Sequence, residues 1–449
     1  MLKRCFVLLF AAVSLAVHGA YTGRIELDHP DGFYRGGETA VCTVLLFRDG
    51  KPLVGEKARF IMRWEAQIVK SEDFVADGKP KTFSWRSDKP GWAYFGVEVL
   101  DGEGKPLKAN SSRSAGLRRR KPTIVAEIGA LFSPDRIVSP VREPADFDEF
   151  WAKRQAEVAA ATQTPTLKEL KTSVKGVKLF AVTIPCPRGV TATGYLAYPG
   201  NAKPGTLPAY MFFQALTYSD VSRWKAVSRA RSGALAFVAT WHGFPVGKPK
   251  KHYDEALHTY YQVGQRGLGD REKWVCSDIF FRVLSELKFL KERLEWDGRT
   301  LVVHGISLGG IQSAFAAAVD PAVTNAVIGV PSFCECNAYE AGRTPHSVYR
   351  RGGVERLKAH PELVEAGFYY DAVNFGKRIK CETLVSTGFT DESCYPSNVF
   401  AFYNAIPATT KKSIATDPCT GHFNTTKETN GESRVAEIFR AIDIGKLPK

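Results

Sequence analysis

The sequence lacks the residue patterns that hold metals, redox centres or dinucleotides in many enzymes. It contains no Cys-x-x-Cys pair and no two histidines four residues apart with a glutamate between them. Cys334-x-Cys336 has no second pair to complete a metal site, and the glycines of 264–269 lack dinucleotide-binding spacing after a strand. We therefore predict no metal site and no cofactor.

Long apolar runs and nucleic-acid-binding modules are also missing. Beyond the N-terminus, no apolar stretch reaches the roughly 20 residues that a membrane span needs. The formal net charge is +14, but the basic residues are spread out, apart from one run at 118–121, and are not interleaved with aromatic residues. We predict no nucleic-acid partner and no membrane span; attraction of an acidic polysaccharide is the alternative that the charge leaves open.

Residues 1–19 are typical of a secretory signal peptide. Lys3 and Arg4 precede a short apolar run. Val17 and Gly19 supply the small residues expected three positions and one position before the cleavage point. We therefore expect a secreted or periplasmic protein.

Residues 20–121 are predicted to form an all-β domain. Turn signals such as Asp77-Gly78 separate short runs of β-branched and aromatic residues, which favours an immunoglobulin-like β-sandwich. Trp64 and Trp92 are expected in its core, with a sugar-stacking platform as the alternative. The candidate strands are 24–27, 39–47, 58–65, 82–85 and 92–100.

Residues 122–449 are expected to hold a connecting segment, 122–144, and then a catalytic domain of the α/β class. A helix is predicted to begin at Asp146, with Glu149 completing a capping box. Strands then alternate with helices, which implies a mainly parallel sheet. The candidate strands are 178–184, 194–198, 209–213, 234–240, 300–303, 326–330, 383–387 and 412–416, and the clearest helix is 278–294.

The stretch around Ser307 is the clearest chemical signal. The apolar run 301–303 leads into Gly305-Ile306-Ser307-Leu308-Gly309, and a helix of small residues follows. A strand, a tight turn and a helix in this order form a nucleophile elbow, which exposes a serine hydroxyl beside the free N–H groups of the helix start. We predict Ser307 as a nucleophile; a glycine-rich turn with a capping serine is the alternative.

A serine nucleophile needs a base and an acid to orient that base, and in this type of fold they follow in the order acid, then base. Asp391 stands in the loop after a late predicted strand, with Glu392 as its competitor. His422 stands in the loop after the last predicted strand. The other two histidines beyond the nucleophile, His346 and His360, fall in a polar helical insertion, so His422 is the predicted base.

From about residue 143 to the end, the chain resembles the acetyl xylan esterase and cephalosporin C deacetylase family of α/β-hydrolases. The resemblance places the triad of that family on Ser307, Asp391 and His422. It implies an α/β-hydrolase fold and the removal of acetyl groups from xylan or its oligosaccharides. The matching stretches are PADFDEFW at 144–151, the elbow with its helix, VPSFC at 330–334, and YDAVNF at 370–375 with its continuation through 379–381, 388–391 and 394–404.

The chain also departs from that family. A glutamine usually follows the nucleophile, whereas here Leu308 does, and its backbone N–H is still the expected first oxyanion donor. The Gly-Tyr segment of the family falls on Gln214-Ala215, so the Ala215 N–H is the expected second donor. The Arg-Gly-Gln motif falls on residues 242–244, and the β-sandwich is not part of the basic family. These changes retain the triad but leave the glycan open.

The expected function is therefore that of a secreted serine carbohydrate esterase that works through an acyl-enzyme on an acetylated oligosaccharide or polysaccharide. The alternatives are a glucuronoyl or feruloyl esterase, a serine peptidase, and a glycan-binding protein without catalysis.

A disulfide between Cys394 and Cys419 is a further expectation. Cys394 lies three residues after Asp391, and Cys419 lies three residues before His422. If the acid and the base are hydrogen-bonded, their loops must run close together, which favours pairing in an exported protein. Two unpaired thiols are the alternative.

Overall fold

The computed structural model describes residues 21–107, 124–162, 164–217, 219–263, 267–274, 277–346, 352–422, 426, 429 and 431–441. The chain forms two compact units: one extends to Arg136 and includes Asp417–Thr420, and the other comprises Ile137–Thr416 and the residues from Gly421 on. The predicted signal peptide and the basic run at 118–121 lie outside the described residues.

The first unit is a β-sandwich of a four-stranded and a five-stranded sheet. Its strands are β1 (Tyr21–Leu27), β2 (Phe33–Tyr34), β3 (Thr39–Arg48), β4 (Lys51–Pro52), β5 (Val54–Trp64), β6 (Gln67–Asp77), β7 (Lys81–Arg86), β8 (Gly91–Val99) and β9 (Ile124–Phe132). One sheet has the order β1-β3-β4 with β7 also on β3, and the other has the order β2-β9-β8-β5-β6.

The alternation of apolar residues along the strands builds the sandwich core. In β3, Cys42, Val44 and Leu46 are buried while the residues between them are more exposed, because successive side chains point to opposite faces. Across the core, the ring of Phe60 in β5 stacks on that of Phe83 in β7 with centroids 3.8 Å apart. The structure thus confirms a β-sandwich at the N-terminus; its immunoglobulin type stays a prediction.

The connecting segment is shorter than predicted, because β9 belongs to the sandwich. It pairs antiparallel with β8, from Gly91 opposite Phe132 to Glu98 opposite Ile124. The side chains of Ile128 and Phe132 lie in the sandwich core.

The second unit contains a nine-stranded sheet with helices on its faces. Its strands are β10 (Thr166–Leu170), β11 (Val177–Pro185), β12 (Thr191–Pro199), β13 (Leu207–Phe213), β14 (Leu235–Ala239), β15 (Trp296–Ile306), β16 (Asn325–Gly329), β17 (Glu382–Gly388) and β18 (Lys412–Asp417). Its helices are α1 (Phe147–Ala160), α2 (Arg223–Arg231), α3 (Lys250–Val263), α4 (Ser277–Lys291), α5 (Leu308–Val319), α6 (Gly353–Ala359), α7 (Pro361–Phe368), α8 (Ala372–Gly376), α9 (Pro396–Ala405) and α10 (Glu432–Ala441).

Both faces of this sheet are covered. In β13, Tyr210 packs with Val435 and Phe439 of α10 on one face. Its neighbour Met211 points to the opposite face and packs in the large core that contains α4 and α5. Burial on both faces explains why the central strands are continuous apolar runs rather than alternating ones.

The order of the strands determines where the loops meet. The sheet runs β10-β11-β12-β14-β13-β15-β16-β17-β18. The strands β14, β13, β15, β16 and β17 pair in parallel, whereas β10 to β12 are antiparallel. Because parallel strands end at the same edge, the loops after β13, β15, β16 and β17 lie together.

The predicted capping box of α1 is wrong. Asp146 precedes the helix as predicted, but its side chain makes no capping hydrogen bond. Its carboxylate instead accepts hydrogen bonds from Arg271 Nη1, at 2.7 Å, and from the hydroxyl of Tyr369. These distant partners take up the carboxylate that a local cap would have used.

The predicted disulfide is also wrong. All the cysteines among the described residues, including Cys394 and Cys419, are free thiols. Cys394 packs in the core of the second unit, whereas Cys419 packs against that of the first. Within the described ranges, no helix combines the length and the apolar character that crossing a bilayer demands.

Candidate active site

Ser307 lies at a strained turn between β15 and α5. Its φ is +60° and its ψ is −117°, a conformation that side-chain-bearing residues rarely adopt. The turn is held on both sides, because the Ser307 N–H donates to the carbonyl of Gly329 at 2.9 Å and its carbonyl accepts from the Ser332 N–H at 3.1 Å. This is the geometry of a nucleophile elbow.

Three glycines around Ser307 allow the turn to pack this closely. A Cβ at Gly305 would lie 2.2 Å from the carbonyl oxygen of Gly309, and one at Gly309 would lie 2.2 Å from that of Phe213. A Cβ at Gly310 would lie 2.5 Å from the carbonyl oxygen of Gly329. All three contacts are with backbone atoms, so no side-chain movement would relieve them.

Asp391 and His422 are joined by a hydrogen bond. The Nδ1 of His422 and the Oδ2 of Asp391 are 2.8 Å apart, and the Asp391 side chain is fully buried. The other oxygen, Oδ1, accepts from the backbone N–H groups of Ser393 at 2.7 Å and Cys394 at 2.9 Å. The carboxylate is therefore fixed in place, and Nδ1 of the histidine carries the proton that it donates to Asp391.

The two predicted oxyanion donors lie on neighbouring segments. Leu308 is the first residue of α5, and Ala215 follows β13 by two residues. Phe213 of β13 lies opposite Gly305 of β15 in the parallel register, which brings the ends of these two strands to the same level. Among the described residues, neither the Leu308 N–H nor the Ala215 N–H donates to an acceptor.

The loop after β16 lies at the same edge of the sheet as the loops after β13 and β15. Asp371 accepts from the N–H groups of Glu335 at 3.1 Å and Cys336 at 2.7 Å. Glu335 is also paired, through its carboxylate, with the guanidinium of Arg343, 3.0 Å away. Burial raises the pKa of Asp371 to about 7, although the hydrogen bonds that its carboxylate accepts from backbone N–H groups lower the pKa in part.

Sequence reasoning missed a side-chain contact in this region. The thiol of Cys394 is buried, which raises its pKa, while a hydrogen bond with Ser307 lowers it in part. The Sγ of Cys394 lies 3.6 Å from Nε2 of His346, a histidine that the sequence analysis placed in a polar helical insertion. His360, by contrast, is exposed and bonds to Glu362. No local pattern marks His346, because its neighbour is 48 residues further along the chain.

The segment that matches the Arg-Gly-Gln motif of the family packs beside β12. A Cβ at Gly243 would lie 1.9 Å from the carbonyl oxygen of Thr191, and Arg282 donates to that oxygen and to the carbonyl of Trp241. Burial lowers the pKa of His242 to about 4, so this imidazole is neutral at physiological pH. In the described part of the chain, no three His, Cys, Asp or Glu side chains are grouped to hold a metal ion.

The sequence matches a known family over most of the second unit. The family model for acetyl xylan esterase (AXE1) matches residues 137–431. A curated protein from Xylanibacter ruminicola, the acetyl esterase Axe7A, is 28% identical over 312 residues, which are 67% of this chain and 68% of that protein.

Two solved structures share the fold of the second unit. An acetyl xylan esterase from Paenibacillus sp. R4 superposes with a TM-score of 0.58 at 20% identity, over 69% of this chain and 98% of that one. Acetyl xylan esterase 1 from Thermoanaerobacterium sp. JW/SL YS485 gives a TM-score of 0.56 at 24% identity, over 68% and 96% of the two chains. The predicted α/β-hydrolase fold is confirmed.

Proposed function

Because the chain belongs to the acetyl xylan esterase family and is a carboxylic ester hydrolase, we propose that it removes O-acetyl groups from xylan or related acetylated oligosaccharides through Ser307, His422 and Asp391. The observation that carries this proposal is the 2.8 Å hydrogen bond between His422 Nδ1 and Asp391 Oδ2. It supports the tautomer in which the proton is on Nδ1, so that Nε2 carries the lone pair that a general base uses.

The reaction would proceed through an acetyl-enzyme. The Ser307 Oγ attacks the carbonyl carbon of the acetyl ester while His422 Nε2 takes the hydroxyl proton. When the tetrahedral intermediate collapses, the bond to the sugar oxygen breaks and His422 returns the proton to that oxygen. A water molecule then attacks the acetyl carbon of the acetyl-enzyme and gives a proton to His422. When this second tetrahedral intermediate collapses, the bond between the acetyl carbon and Ser307 Oγ breaks, His422 returns the proton to Oγ, and acetate leaves.

The negative charge on the tetrahedral intermediate would be stabilised by backbone groups. The N–H of Leu308 stands at the start of α5, where the helix dipole also favours an anion. The N–H of Ala215 would supply the second hydrogen bond. Each donor of this kind contributes roughly 3 kcal/mol to transition-state stabilisation.

Acetate release from acetylated xylan is the measurement that tests this proposal. The wild-type protein should release acetate and should prefer p-nitrophenyl acetate to longer nitrophenyl esters. Ser307→Ala and His422→Ala should each lose at least about a thousandfold in kcat, since removal of a triad member has that effect in serine hydrolases. If the protein instead prefers a feruloyl or glucuronoyl ester, the proposed substrate is wrong, but the assignment of Ser307 as the nucleophile still stands.

Two matched variants serve as controls. Ser313→Ala removes a buried hydroxyl of α5 that donates only to the carbonyl of Gly309 among the described residues, and His360→Ala removes an exposed imidazole. Both should keep wild-type activity. Full esterase activity in a purified, folded Ser307→Ala protein would refute the assignment of the nucleophile.

A further inference from the structure

The side chain of Gln312 connects the two backbone segments that carry the oxyanion donors of the proposed function. Gln312 is buried in α5, four residues after Leu308. Its Nε2 donates to the carbonyl of Leu308 at 2.9 Å and to the carbonyl of Gln214 at 3.3 Å. A single amide group therefore joins the elbow helix to the segment that follows β13.

The hydrogen bond to Gln214 has a direct effect on its neighbour. The carbonyl of Gln214 and the N–H of Ala215 belong to the same peptide unit, and no peptide bond in the described structure is cis. In a planar trans peptide these two groups point in opposite directions. A bond that holds the Gln214 carbonyl toward Gln312 thus directs the Ala215 N–H away from Gln312.

The other oxyanion donor of the proposed function, the Leu308 N–H, lies at the N-terminal end of α5. Gln312 lies one turn further into the helix than Leu308, whose N–H is at the helix start beside Ser307. Phe213 lies opposite Gly305 in the parallel register, so the segment with Ala215 begins at the level of the elbow, where an Ala215 N–H that points away from Gln312 can converge with the Leu308 N–H on one oxygen atom.

Other contacts fix the position of the segment after β13 but do not fix the orientation of the peptide unit between Gln214 and Ala215. Gly309 lets the carbonyl of Phe213 approach α5 closely. The side-chain Nε2 of Gln214 donates to Thr217 Oγ1 at 2.8 Å and to the carbonyl of Ser219 at 3.0 Å, which closes the loop. Among the hydrogen bonds of the described residues, the one from Gln312 holds the peptide between Gln214 and Ala215.

We infer that Gln312 is a positioning residue that orients the Ala215 N–H for the oxyanion. The inference rests on the proposed function, because it takes Ala215 as one of the two donors. Without the hydrogen bond the peptide can rotate, and the transition state loses a donor that the bound substrate does not need to the same extent. The loss therefore falls on kcat rather than on KM.

The test compares Gln312→Met with wild type on p-nitrophenyl acetate. Methionine fills a similar volume but cannot donate a hydrogen bond. We expect kcat to fall about 10- to 100-fold, somewhat less than for outright loss of an oxyanion donor, with KM changed less than about threefold. The shape of the pH profile should stay the same, because the Asp391–His422 pair is not touched. Ser313→Ala, the next residue of the same helix, is the matched control and should keep wild-type kcat.

Gln312→Glu provides a second readout if the methionine variant is unstable. It keeps the length and polarity of the side chain, but an ionised carboxylate repels the Gln214 carbonyl, whereas the protonated form can donate to it. The ratio of variant to wild-type kcat should therefore fall as the pH rises.

The outcomes separate this inference from the proposed function. An inactive wild-type protein, or an active Ser307→Ala variant, would overturn the proposed function. If wild type is active, Ser307→Ala is inactive, and Gln312→Met and Gln312→Glu both retain wild-type kcat at every pH, only the role of Gln312 is refuted.

Discussion

Glu286 is a buried carboxyl group that the proposed reaction does not use. It lies on α4 and is inaccessible to solvent, and neither of its oxygens makes a hydrogen bond to a described residue. Burial raises the pKa of Glu286 to about 8, although the nearby Arg282 lowers it in part. The guanidinium of Arg282 is itself engaged with the carbonyls of Thr191 and Trp241. Glu286 is therefore mostly protonated at neutral pH.

This burial predicts a specific dependence of stability on pH. The folded-state pKa of Glu286 lies above its unfolded value of 4.5, so its contribution to stability is complete below that value and is lost as the pH rises through about 8. Glu286→Gln cannot ionise, and the difference in Tm between this variant and wild type should grow in favour of the variant from pH 5 to pH 9. Each unit of pKa shift is worth about 1.4 kcal/mol, so the effect should be several degrees.

Differential scanning calorimetry across this pH range checks the prediction. Glu292→Gln, which alters an exposed carboxylate just beyond the same helix, is the matched control. Parallel Tm curves for Glu286→Gln and wild type would show that the Glu286 carboxyl stays ionised in the folded protein.

The positions of Ser307, Asp391 and His422 could be predicted individually because each follows a strand, and their order along the chain then gave the acid and base roles that we propose. The structure brings Asp391 and His422 together and puts Ser307 in an elbow. The neighbours of these residues could not be predicted in the same way. Cys394 and His346 meet through tertiary packing, for which no sequence spacing exists.

The loop after β16 stores strain at the edge of the site. Val330, Phe333 and Glu335 all have positive φ, at 35°, 58° and 57°. Such conformations cost of the order of 1–3 kcal/mol each and persist only where other contacts enforce them. Here the enforcing contacts are the N–H groups bound by Asp371 and the buried pair of Glu335 with Arg343.

Removing one partner of this pair should therefore weaken the whole loop. Arg343→Met leaves the Glu335 carboxylate buried without its counter-charge, which should lower the free energy of unfolding by about 3–5 kcal/mol. The double variant Glu335→Gln/Arg343→Met has no unpaired charge and should recover part of that loss. Urea denaturation of the three proteins measures both effects. A single Arg343→Met variant that is as stable as wild type would contradict this account.

Strands that lack a local apolar pattern, or that pair with distant strands, were also missed by the sequence analysis. The sequence predicted most strands to within a few residues but missed the two-residue strands β2 and β4 and the longer strands β6, β9 and β10. In β6 only Ala76 is buried, and β10 is an edge strand with no buried residue, so neither shows apolar alternation. The stretch that forms β9 is apolar, but it begins 33 residues after the start of β8. A local sequence pattern therefore could not predict that it pairs with β8.

At the scale of the whole molecule, periodicity predicted an all-β part followed by an α/β part with a mainly parallel sheet, and the resemblance to the acetyl xylan esterase family implied that the second part is an α/β-hydrolase. The exact end of the sandwich could not be predicted, since it depends on which sheet Ile124–Phe132 joins. The assignment of Asp417–Thr420 to the first unit could not be predicted either, because it depends on tertiary contacts. One of these is the hydrogen bond from the Gly129 N–H to the Pro418 carbonyl.

Export is the prediction that belongs to the whole chain. We propose that residues 1–19 direct secretion and are then removed, since a basic start, a short apolar run and small residues at the cleavage point are what signal peptidases recognise. N-terminal sequencing of the protein from the periplasm or medium of an expressing bacterium should begin at Ala20. A chain lacking residues 1–19 is the control and should stay in the cytosol. Full-length protein confined to the cytosol with Met1 intact would disprove export.

The glycines around the elbow also restrict how this gene can change. Every nucleotide substitution that alters the amino acid at a glycine codon introduces a Cβ, and at positions 305, 309 and 310 that atom would lie 2.2 to 2.5 Å from a backbone oxygen. Mutational drift at these three codons is therefore confined to synonymous changes, whatever ester the enzyme is selected to cleave.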